Sequence, residues 1–259
     1  MTLRILVTND DGVHSKGLHL LAKRLRSLGE VTVIAPDRER SAASHALTLH
    51  KPLRVEELQN GVYSVNGTPT DCVNLGANVI MDKRPHLVVS GINKGGNLGD
   101  DITYSGTVSA AFEGTLLGIP SLAVSLLDGG EFQFATAAEF AVRLARLIGE
   151  KGLPKDTLLN MNVPNLPISA VRGVKITSLG KRIYVNNIVA KTDPRGRAYY
   201  WIGANDTSWE DRKDTDDLAV RDRMVSVTPI HLDLTNHNIM DRLREWEPEL
   251  AKKGRPKRK

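Results

Sequence analysis

Short apolar runs alternate with helical patterns along the first 165 residues of the chain, and this alternation restricts the fold more than any other feature. Residues 3–8 and 30–36 are predicted to be buried strands, because both runs are apolar and the second is rich in β-branched residues. Residues 16–29 between them carry leucine at helical spacing, and Gly29 is the predicted stop signal. A strand, a helix and a strand at this spacing form a βαβ unit, in which the two strands run parallel.

The alternation continues beyond this first unit. We predict helices over residues 67–81, 105–118 and 131–150, and strands over residues 85–93, 120–126 and 157–164. The first of these helices has a clear start, with Thr68 as the N-cap, Pro69 in the first turn and Asp71 in the acidic third position. Residues 1–165 are therefore predicted to form an α/β core around a doubly wound, mostly parallel sheet.

The pattern changes after residue 165, where short strands and turns replace the alternation. The predicted elements are strands over residues 173–180, 182–191, 198–203 and 224–234, a polar loop over 205–217 and a terminal helix over 238–253. We interpret residues 166–250 as a C-terminal extension, made of a β-hairpin, a returning strand and a helix, that completes the fold. Its aromatic residues Tyr199, Tyr200 and Trp201 are expected either to be exposed for a partner chain or to form a small satellite core.

The net charge of +5 is concentrated at one end of the chain. Residues 252–259 hold six of the 35 Lys and Arg residues, which leaves 29 basic residues against 30 acidic ones in the rest of the chain. Residues 251–259 are therefore predicted to be a disordered basic tail, and no specific nucleic-acid partner is expected. Non-specific attraction of this tail to polyanions is the alternative.

The sequence also bears on the cellular compartment. No apolar run approaches the roughly 18 residues of a membrane span, and the first residues lack the apolar core of a signal peptide. Cys72 is the only cysteine, so no internal disulfide can form, which agrees with a reducing compartment. We therefore expect a cytoplasmic protein with no membrane partner.

Polar segments follow three of the predicted strands. The side chains at these strand ends are Asn9, Asp10 and Asp11 after the first strand, Ser41 and Ser44 after the second, and Asn93 and Asn97 after the strand that begins at residue 85. Ligands bind outside the carboxyl ends of the strands in an open parallel sheet, and these ends share one edge. We therefore expect the three segments to form one site.

Two adjacent aspartates, Asp10 and Asp11, indicate a metal site. Like charges side by side repel, and a positive charge must compensate them if they are removed from water. With the hydroxyl of Ser41 and the amide oxygen of Asn97 they offer the oxygen ligands that Mg²⁺ or Mn²⁺ prefers. The alternative is that one aspartate caps the helix beginning near residue 15, although only one of the two side chains can do so.

Residues Ser105, Gly106 and Thr107 begin a helix of small residues on the same predicted edge. Unpaired backbone N–H groups at such a helix start bind anions, so this turn is a candidate phosphate site. The alternative is an ordinary Ser/Thr cap on a helix that packs closely through Ala110 and Gly114.

Several common motifs are missing from the sequence. It has no G-x-x-x-x-G-K-[ST] phosphate loop, no G-x-G-x-x-G dinucleotide fingerprint and no G-x-S-x-G nucleophile elbow. Phosphatases that use an aspartyl nucleophile carry D-x-D, whereas Asp10 and Asp11 are contiguous. Contiguous carboxylates favour joint metal binding over a nucleophile and acid pair.

A set of segments occurs in order from about residue 3 to about residue 237. The segments are ILVTNDDGVHSKGL, VIAPDRERSAASHALTL, GTPTDCVNLG, VVSGINKGGNLGDDITYSGTVSAAFEGTLLGIPSLAVSL, NMNVP and VSVTPIHLDLT. Together they resemble the SurE family of metal-dependent 5′-nucleotidases. The resemblance implies a Rossmann-like core, one divalent metal ion per subunit, and hydrolysis of nucleoside 5′-monophosphates with some breadth toward 3′-nucleotides or short polyphosphate. It also implies homodimers or homotetramers built partly by exchanged C-terminal segments.

The resemblance also implies roles for particular residues. Asp10, Asp11, Ser41 and Asn97 match the metal ligands of the family. Asn93 and the turn at residues 105–107 match its phosphate-binding positions. The basic tail lies outside the resemblance.

Asp10 and Asp11 are also the catalytic candidates, because either carboxylate could help to deprotonate an attacking water. Asn9 and Ser44 complete the candidate phosphate-binding groups. The sequence indicates no proton donor for the leaving group. The alternative function is that of a sensor that binds a nucleotide or phosphate on the same fold without hydrolysing it.

Overall fold

The structure is a computed structural model that describes residues 2–184, 188–202 and 207–251. Its strands are β1 (Leu3–Thr8), β2 (Gly29–Pro36), β3 (Val55–Gln59), β4 (Val62–Val65), β5 (Leu87–Lys94), β6 (Ser121–Leu126), β7 (Thr157–Val163), β8 (Gly173–Ile176), β9 (Arg182–Tyr184), β10 (Ile188–Thr192), β11 (Ala198–Ile202), β12 (Thr207–Trp209) and β13 (Met224–His231). Its α-helices are α1 (Lys16–Leu25), α2 (Pro69–Leu75), α3 (Gly106–Leu116), α4 (Phe134–Lys151), α5 (Asp216–Arg221), α6 (Met240–Arg244) and α7 (Glu247–Leu250). None of the helices in the described part of the chain is long and apolar enough to cross a membrane.

The central sheet has nine strands in the order β3-β4-β2-β1-β5-β6-β7-β13-β8. β1 lies parallel to both β2 and β5, so the chain winds outward through β2 and β4 on one side and through β5, β6 and β7 on the other. β3 and β13 run antiparallel to β4 and β7. The prediction of a doubly wound, mostly parallel α/β sheet is therefore confirmed, and its switch point lies between the ends of β1 and β5.

Helices cover both faces of this sheet, which explains why residues 5–7 of β1 are all apolar. Ile5 of β1 belongs to a cluster that includes Leu18 of α1 and residues of α4. Leu6, the next residue, belongs to a second cluster with Val73 of α2 and Ala110 of α3. Ile5 and Leu6 are fully buried, and such burial contributes about 2 kcal/mol for each side chain before the entropy cost of ordering it.

The first helix is shorter than predicted. α1 ends at Leu25, and Gly29 begins β2 instead of ending α1. Gly29 lies opposite Leu3 in the register of β1 and β2. A Cβ atom on Gly29 would lie 2.0 Å from the carbonyl oxygen of Leu3, so the glycine is required by the close approach of the two strands.

The predicted start of α2 is confirmed. Thr68 Oγ1 accepts a hydrogen bond from the backbone N–H of Asp71 at 3.1 Å, and the Asp71 carboxylate accepts one from the backbone N–H of Thr68 at 2.8 Å. α-Helical geometry ends at Leu75, and Gly76–Ile80 continue as a π-helical turn.

One edge hairpin, β3 with β4, was not predicted. Every residue of β3 is exposed, so the segment shows no alternation of apolar and polar residues. Its pairing with β4 also contains a register shift between Glu57 and Gln59. An exposed, irregular edge strand leaves no hydrophobic period in the sequence.

The hairpin predicted in the C-terminal extension is confirmed over its described residues, because β10 pairs antiparallel with β11. Tyr199, Tyr200 and Trp201 on β11 are exposed, at 39%, 66% and 64% of their surface, so they form no satellite core within the described chain. Residues 185–187 and 203, which belong to the predicted strands, lie outside the described residues.

The prediction of a polar loop over residues 205–217 is wrong in part. β12 pairs antiparallel with β9, and α5 begins at Asp216. The guanidinium of Arg182 on β9 lies 5.0 Å from the centre of the Trp209 ring on β12, which ties the two short strands together. Three-residue strands are too short to show a periodic pattern in the sequence. Residues 205–206 lie outside the described part.

The chain returns to the central sheet and then ends in short helices. The predicted strand over residues 224–234 is β13, which lies between β7 and β8. The prediction of one helix over residues 238–253 is wrong, because α6 ends at Arg244 and α7 begins at Glu247. Pro248 explains the break, since its ring would clash with the carbonyl group of residue 244 in a continuous helix. Residues 252–259, which are the predicted tail of residues 251–259 without its first residue, lie outside the described residues.

Candidate active site

Three segments meet at the end of β1, at the switch point of the sheet. The loop after β2 is held there by the backbone N–H of Arg40, which donates to the carbonyl oxygen of Asp10 at 2.7 Å. Lys94 at the end of β5 faces the carboxylate of Asp11, and its charge and backbone N–H lower the pKa of that group. The start of α3 lies against the side chain of Asp10. The aspartate doublet is therefore the point on which these segments converge.

Asp10 is buried beneath the first turn of α3, with 5% of its surface exposed. Thr107 Oγ1 donates a hydrogen bond to Asp10 Oδ1 at 2.5 Å, and the backbone N–H of Thr107 also faces this carboxylate. A Cβ atom on Gly106 would lie 2.8 Å from Asp10 Cβ and 2.9 Å from Asp10 Oδ2, so only glycine allows this approach. Burial raises the pKa of Asp10, although the hydrogen bonds from Thr107 oppose the rise.

Asp11 is half-buried beside Asp10. Burial, followed by the charge of Asp10, raises the pKa of Asp11 to about 6, while the charge and backbone N–H of Lys94 act in the opposite direction. The alternative role as a helix cap is not supported, because the N-cap of α1 is Ser15 and no side chain caps it. Two carboxylates with raised pKa values at one place form a site that a cation would stabilise.

The loop that carries Asn97 is fixed from below by β6 and β7. Asn97 Nδ2 donates to Ser125 Oγ at 2.7 Å, which leaves the amide oxygen of Asn97 available for a cation. The backbone carbonyl of Asn97 accepts from Asn160 Nδ2 at 2.9 Å and from Asn162 Nδ2 at 2.8 Å. Sequence reasoning missed Asn160 and Asn162, although two buried amides at alternate positions of an apolar strand were a signal.

A second support for this loop comes from Asp216 at the start of α5. The carboxylate of Asp216 accepts from the backbone N–H of Gly99 at 2.9 Å, of Gly180 at 2.7 Å and of Asp217 at 2.9 Å. Asp216 is fully buried, and burial raises its pKa while these N–H groups oppose the rise. From the sequence Asp216 was predicted to lie in a polar loop. Its contact with Gly99 joins distant residues, so the residues around Asp216 do not indicate it.

Ser41 and Ser44 lie in the loop after β2. Ser41 is exposed, and its hydroxyl donates to Glu39 Oε1 at 2.6 Å, so it does not contact the aspartates here. Ser44 is half-buried and has φ of 51°, and Ala42 has φ of 57°. Two non-glycine residues in the left-handed region store backbone strain, which is common where a loop forms a binding site.

The remaining predicted residues lie around the doublet. Asn9 is fully buried and donates from Nδ2 to the carbonyl oxygen of Gly12 at 3.2 Å, while its Oδ1 has no partner among the described residues. Asn93 Nδ2 donates to the carbonyl oxygen of Gly95 at 2.9 Å. Ser105 caps α3, since its Oγ accepts from the backbone N–H of Val108 at 3.1 Å. Capping and anion binding are compatible, because the cap uses the N–H of Val108 and not that of Gly106.

The donor atoms fit a hard divalent cation. Two carboxylates, an amide oxygen and a nearby hydroxyl are all oxygen ligands, which Mg²⁺ and Mn²⁺ prefer over softer sets. No group of three or more His, Cys, Asp or Glu side chains suited to a metal occurs among the described residues. A pair of carboxylates with so few further ligands therefore suits an ion that keeps several of its water ligands.

Residues 5–186 match the family described as Survival protein SurE. The chain belongs to this family. It is 57% identical over 246 residues to the protein named 5′-nucleotidase SurE of Geobacter metallireducens, a match that covers 95% of this chain and 98% of that protein. A protein of the same name from Geobacter sulfurreducens is 58% identical over 246 residues, which are 95% and 94% of the two chains. The crystal structure of the SurE protein from Aquifex aeolicus has a TM-score of 0.87 to this SurE fold at 46% identity, covering 94% of this chain and 99% of that one.

Proposed function

We propose that this chain is a 5′-nucleotidase, a metal-dependent hydrolase that releases phosphate from nucleoside 5′-monophosphates. The observation that carries the proposal is the position of Asp10 and Asp11 at the switch point, with the start of α3 directly against Asp10. A pair of carboxylates can bind a metal ion, and the start of a helix can bind a phosphate group. The two features side by side can therefore bind both groups. The names of the relatives from the two Geobacter species support the same activity.

The proposed ligands of one Mg²⁺ or Mn²⁺ ion per subunit are Asp10, Asp11, the amide oxygen of Asn97 and the hydroxyl of Ser41. When bound, the ion supplies positive charge to a phosphate oxygen and lowers the pKa of a water molecule. Ser41 donates its hydroxyl hydrogen to Glu39, so the lone pairs of its oxygen stay available, and its exposed loop can bring that oxygen to the ion. The proposed metal site therefore has a fixed part, Asp10 and Asn97, and a part that adjusts to the ligand, the loop of Ser41.

The start of α3 is the proposed phosphate site. The backbone N–H of Gly106 and the aligned peptide dipoles of an 11-residue helix favour a negative group at this position. Asn93, Ser44 and Asn9 lie on the neighbouring segments and supply further polar groups. These groups stabilise the equatorial phosphate oxygens as charge redistributes in the transition state.

We propose Asp11 as the group that accepts a proton from the attacking water. Asp10 is buried and accepts a hydrogen bond from Thr107 Oγ1, whereas Asp11 is more exposed. A base must reach the water that it deprotonates, and the more accessible carboxylate meets this condition. Asp10 then acts as a ligand and holds α3 in place.

Substituting Gly106 tests the approach of α3 to Asp10. We expect Gly106→Ala to lower kcat/KM for AMP by about tenfold or more, because a new Cβ atom pushes the helix start away from the carboxylate. Gly149→Ala is the matched control, since its Cβ atom would meet only the flexible end of Leu3, at 2.8 Å, far from the site. Wild-type activity in Gly106→Ala would show that this close packing has no catalytic role.

The raised pKa of Asp11 predicts how metal binding depends on pH. Because the folded-state pKa of about 6 exceeds the ordinary value of 3.8, this group stabilises the metal-free fold below pH 3.8 and loses that contribution as the pH rises through 6. A metal ion competes with the proton, so its affinity should fall by up to about tenfold for each pH unit below 6. The increase in Tm caused by Mn²⁺, measured by calorimetry from pH 5 to 8, should therefore grow with pH. A pH-independent increase would contradict this assignment.

The alternative is a sensor that binds nucleotides without hydrolysing them. Binding and phosphate release should be measured together for AMP, 3′-AMP and tripolyphosphate with Mg²⁺ or Mn²⁺ present. Release from AMP supports the nucleotidase, and release from the other two compounds defines its breadth. Binding of AMP without release of phosphate, with either Mg²⁺ or Mn²⁺ present, would favour the sensor.

We further propose that residues 1–165 form the catalytic core and that residues 166–250 contribute to a homodimer or homotetramer in the cytoplasm. The exposed hairpin aromatics and the exposed apolar residues Trp246 and Leu250 support an oligomer. Light scattering of the full chain tests it, and a monomeric mass would remove this part of the proposal.

A further inference from the structure

Residues 98–104 link the loop that carries Asn97 to the start of α3. Most of this link is a short 3₁₀ turn. In it the backbone N–H of Asp101 donates to the carbonyl oxygen of Leu98 at 3.1 Å, and that of Tyr104 donates to the carbonyl oxygen of Asp101 at 3.0 Å. A turn closed by its own hydrogen bonds moves as one piece. A shift of the link would therefore move a proposed metal ligand and the proposed phosphate site together.

Two side chains of the C-terminal extension contact this link. Arg182 Nη1 lies 2.8 Å from Asp101 Oδ2, with 25% and 24% of the two side chains exposed. The guanidinium carbon of Arg182 lies over the Trp209 ring, 5.0 Å from its centre. The same ring also packs against the link, because a Cβ atom on Gly99 would lie 2.8 Å from Trp209 Cζ3. Arg182 and Trp209 therefore hold the link at two positions, Gly99 and Asp101.

The ring of Trp209 fixes the charge of Arg182. Pairing of β9 with β12 places the two residues opposite each other, and a planar guanidinium is attracted to the face of an indole ring. Arg182 therefore presents an ordered cation to Asp101, at a place where solvent screens the pair less than at an open surface. Such a pair can hold the link in one position, which exposed ion pairs seldom do.

Asp216 holds the same link by a different kind of contact. Its carboxylate is fully buried and accepts from the backbone N–H of Gly99, so its removal is expected to destabilise the fold. Arg182 and Trp209 are only partly buried. Their removal is therefore expected to shift the link with a smaller loss of stability, which separates the position of the link from the stability of the fold.

We propose that Arg182 and Trp209 are positioning residues, which set the position of Asn97 relative to the start of α3. The inference rests on the proposed nucleotidase function and assigns part of its geometry to the C-terminal extension. Because one link joins both groups, a well-placed link lets the metal ion and the phosphate bind together. Each of these ligands should then raise the affinity for the other by the same factor.

The test measures the Kd for Mn²⁺ by calorimetry, with and without inorganic phosphate. Trp209→Ala and Arg182→Ala should each raise this Kd about fivefold and reduce the factor by which phosphate strengthens Mn²⁺ binding. Their kcat for AMP should fall about tenfold, because small displacements of positioned groups lower the rate strongly. Trp209→Phe keeps an aromatic ring beside Arg182 and should restore most of both losses.

Arg143→Ala is the matched control. Arg143 Nε on α4 lies 3.1 Å from Glu139 Oε1, and the guanidinium carbon lies 5.2 Å from the centre of the Phe140 ring. The same combination of ion pair and ring contact is lost in this variant, on a helix that carries none of the proposed ligands. Arg143→Ala should therefore keep the wild-type Kd for Mn²⁺ and the wild-type kcat.

A double-mutant cycle tests whether Arg182 acts through Asp101. Asp101→Asn should itself raise the Kd for Mn²⁺, and adding Arg182→Ala to it should change that Kd by less than about twofold. Full additivity of the two effects would show that Arg182 does not act through Asp101 and would overturn the proposal.

Three other results would overturn the positioning role. The first is an unchanged Kd and kcat in both Trp209→Ala and Arg182→Ala. The second is a lower Tm in chelator with an unchanged Kd, which would leave the two residues a structural role only. The third is a loss that occurs only together with a change in oligomeric mass. If the wild-type protein releases no phosphate from AMP, the nucleotidase proposal fails, and the Kd values for Mn²⁺, which need no hydrolysis, still decide the positioning role.

Discussion

Asp11→Asn is expected to lower kcat for AMP hydrolysis by at least about a thousandfold. The substitution removes one of two adjacent carboxylate ligands and the proposed proton acceptor, and a metal-activated water contributes several kcal/mol to catalysis. The loss should appear in kcat and in metal affinity together, because both roles belong to one side chain. Steady-state kinetics over a series of Mn²⁺ concentrations measures the two effects.

The stability of Asp11→Asn distinguishes a lost site from a damaged fold. Burial and the charge of Asp10 raise the pKa of Asp11, so its ionised form is unfavourable in the metal-free protein at pH 8. The neutral asparagine should therefore leave Tm in chelator unchanged or raise it, and should remove the increase in Tm caused by Mn²⁺. Asp128→Asn, which changes an exposed aspartate shortly after β6, is the matched control and should behave as wild type. A variant that keeps both its kcat and its metal-induced increase in Tm would rule out Asp11 as a ligand.

Asp216→Ala is expected to reduce the free energy of unfolding by about 3 kcal/mol or more. Three backbone N–H groups lose their acceptor, and each unsatisfied buried group costs about 1–3 kcal/mol, with partial relief from water or local movement. Because one of them belongs to Gly99, the loop that carries Asn97 should also lose order, and metal affinity should fall.

Urea denaturation with chelator present measures the free energy of unfolding without a contribution from metal binding. Asp211→Ala is the control, because Asp211 is an exposed aspartate five residues away on the same segment. Asp216→Asn should lie between the two, since its amide keeps one oxygen as an acceptor. If Asp216→Ala were as stable as Asp211→Ala, the carboxylate would have no role in holding the two loops.

The core of this fold was predictable because its determinants are local. Buried strands such as β1 are apolar on both faces, and the capping box between Thr68 and Asp71 lies within four residues. Once the strands are known to be parallel, the polar residues at their ends must share an edge, so the convergence of the segments on Asp10 and Asp11 follows from topology.

Other features depend on contacts between distant parts of the chain. Asp216 and Gly99 are separated by 117 positions, and the network beneath Asn97 joins β6 and β7 to a loop more than 25 residues earlier. The bond between Ser41 and Glu39 is local, but residue types alone could not predict it and indicated only that Ser41 was a ligand. β9 and β12 are joined by their antiparallel pairing and by the contact of Arg182 with Trp209, and neither produces a hydrophobic period in the sequence.

The most direct measurement is phosphate release from AMP by protein stripped of metal with a chelator, before and after Mn²⁺ or Mg²⁺ is restored. We predict no release above the uncatalysed rate after stripping, full recovery in the wild-type protein, and no recovery in Asp11→Asn. Release that persists in chelator, and that Asp11→Asn retains, would contradict a metal-dependent nucleotidase built on this aspartate pair.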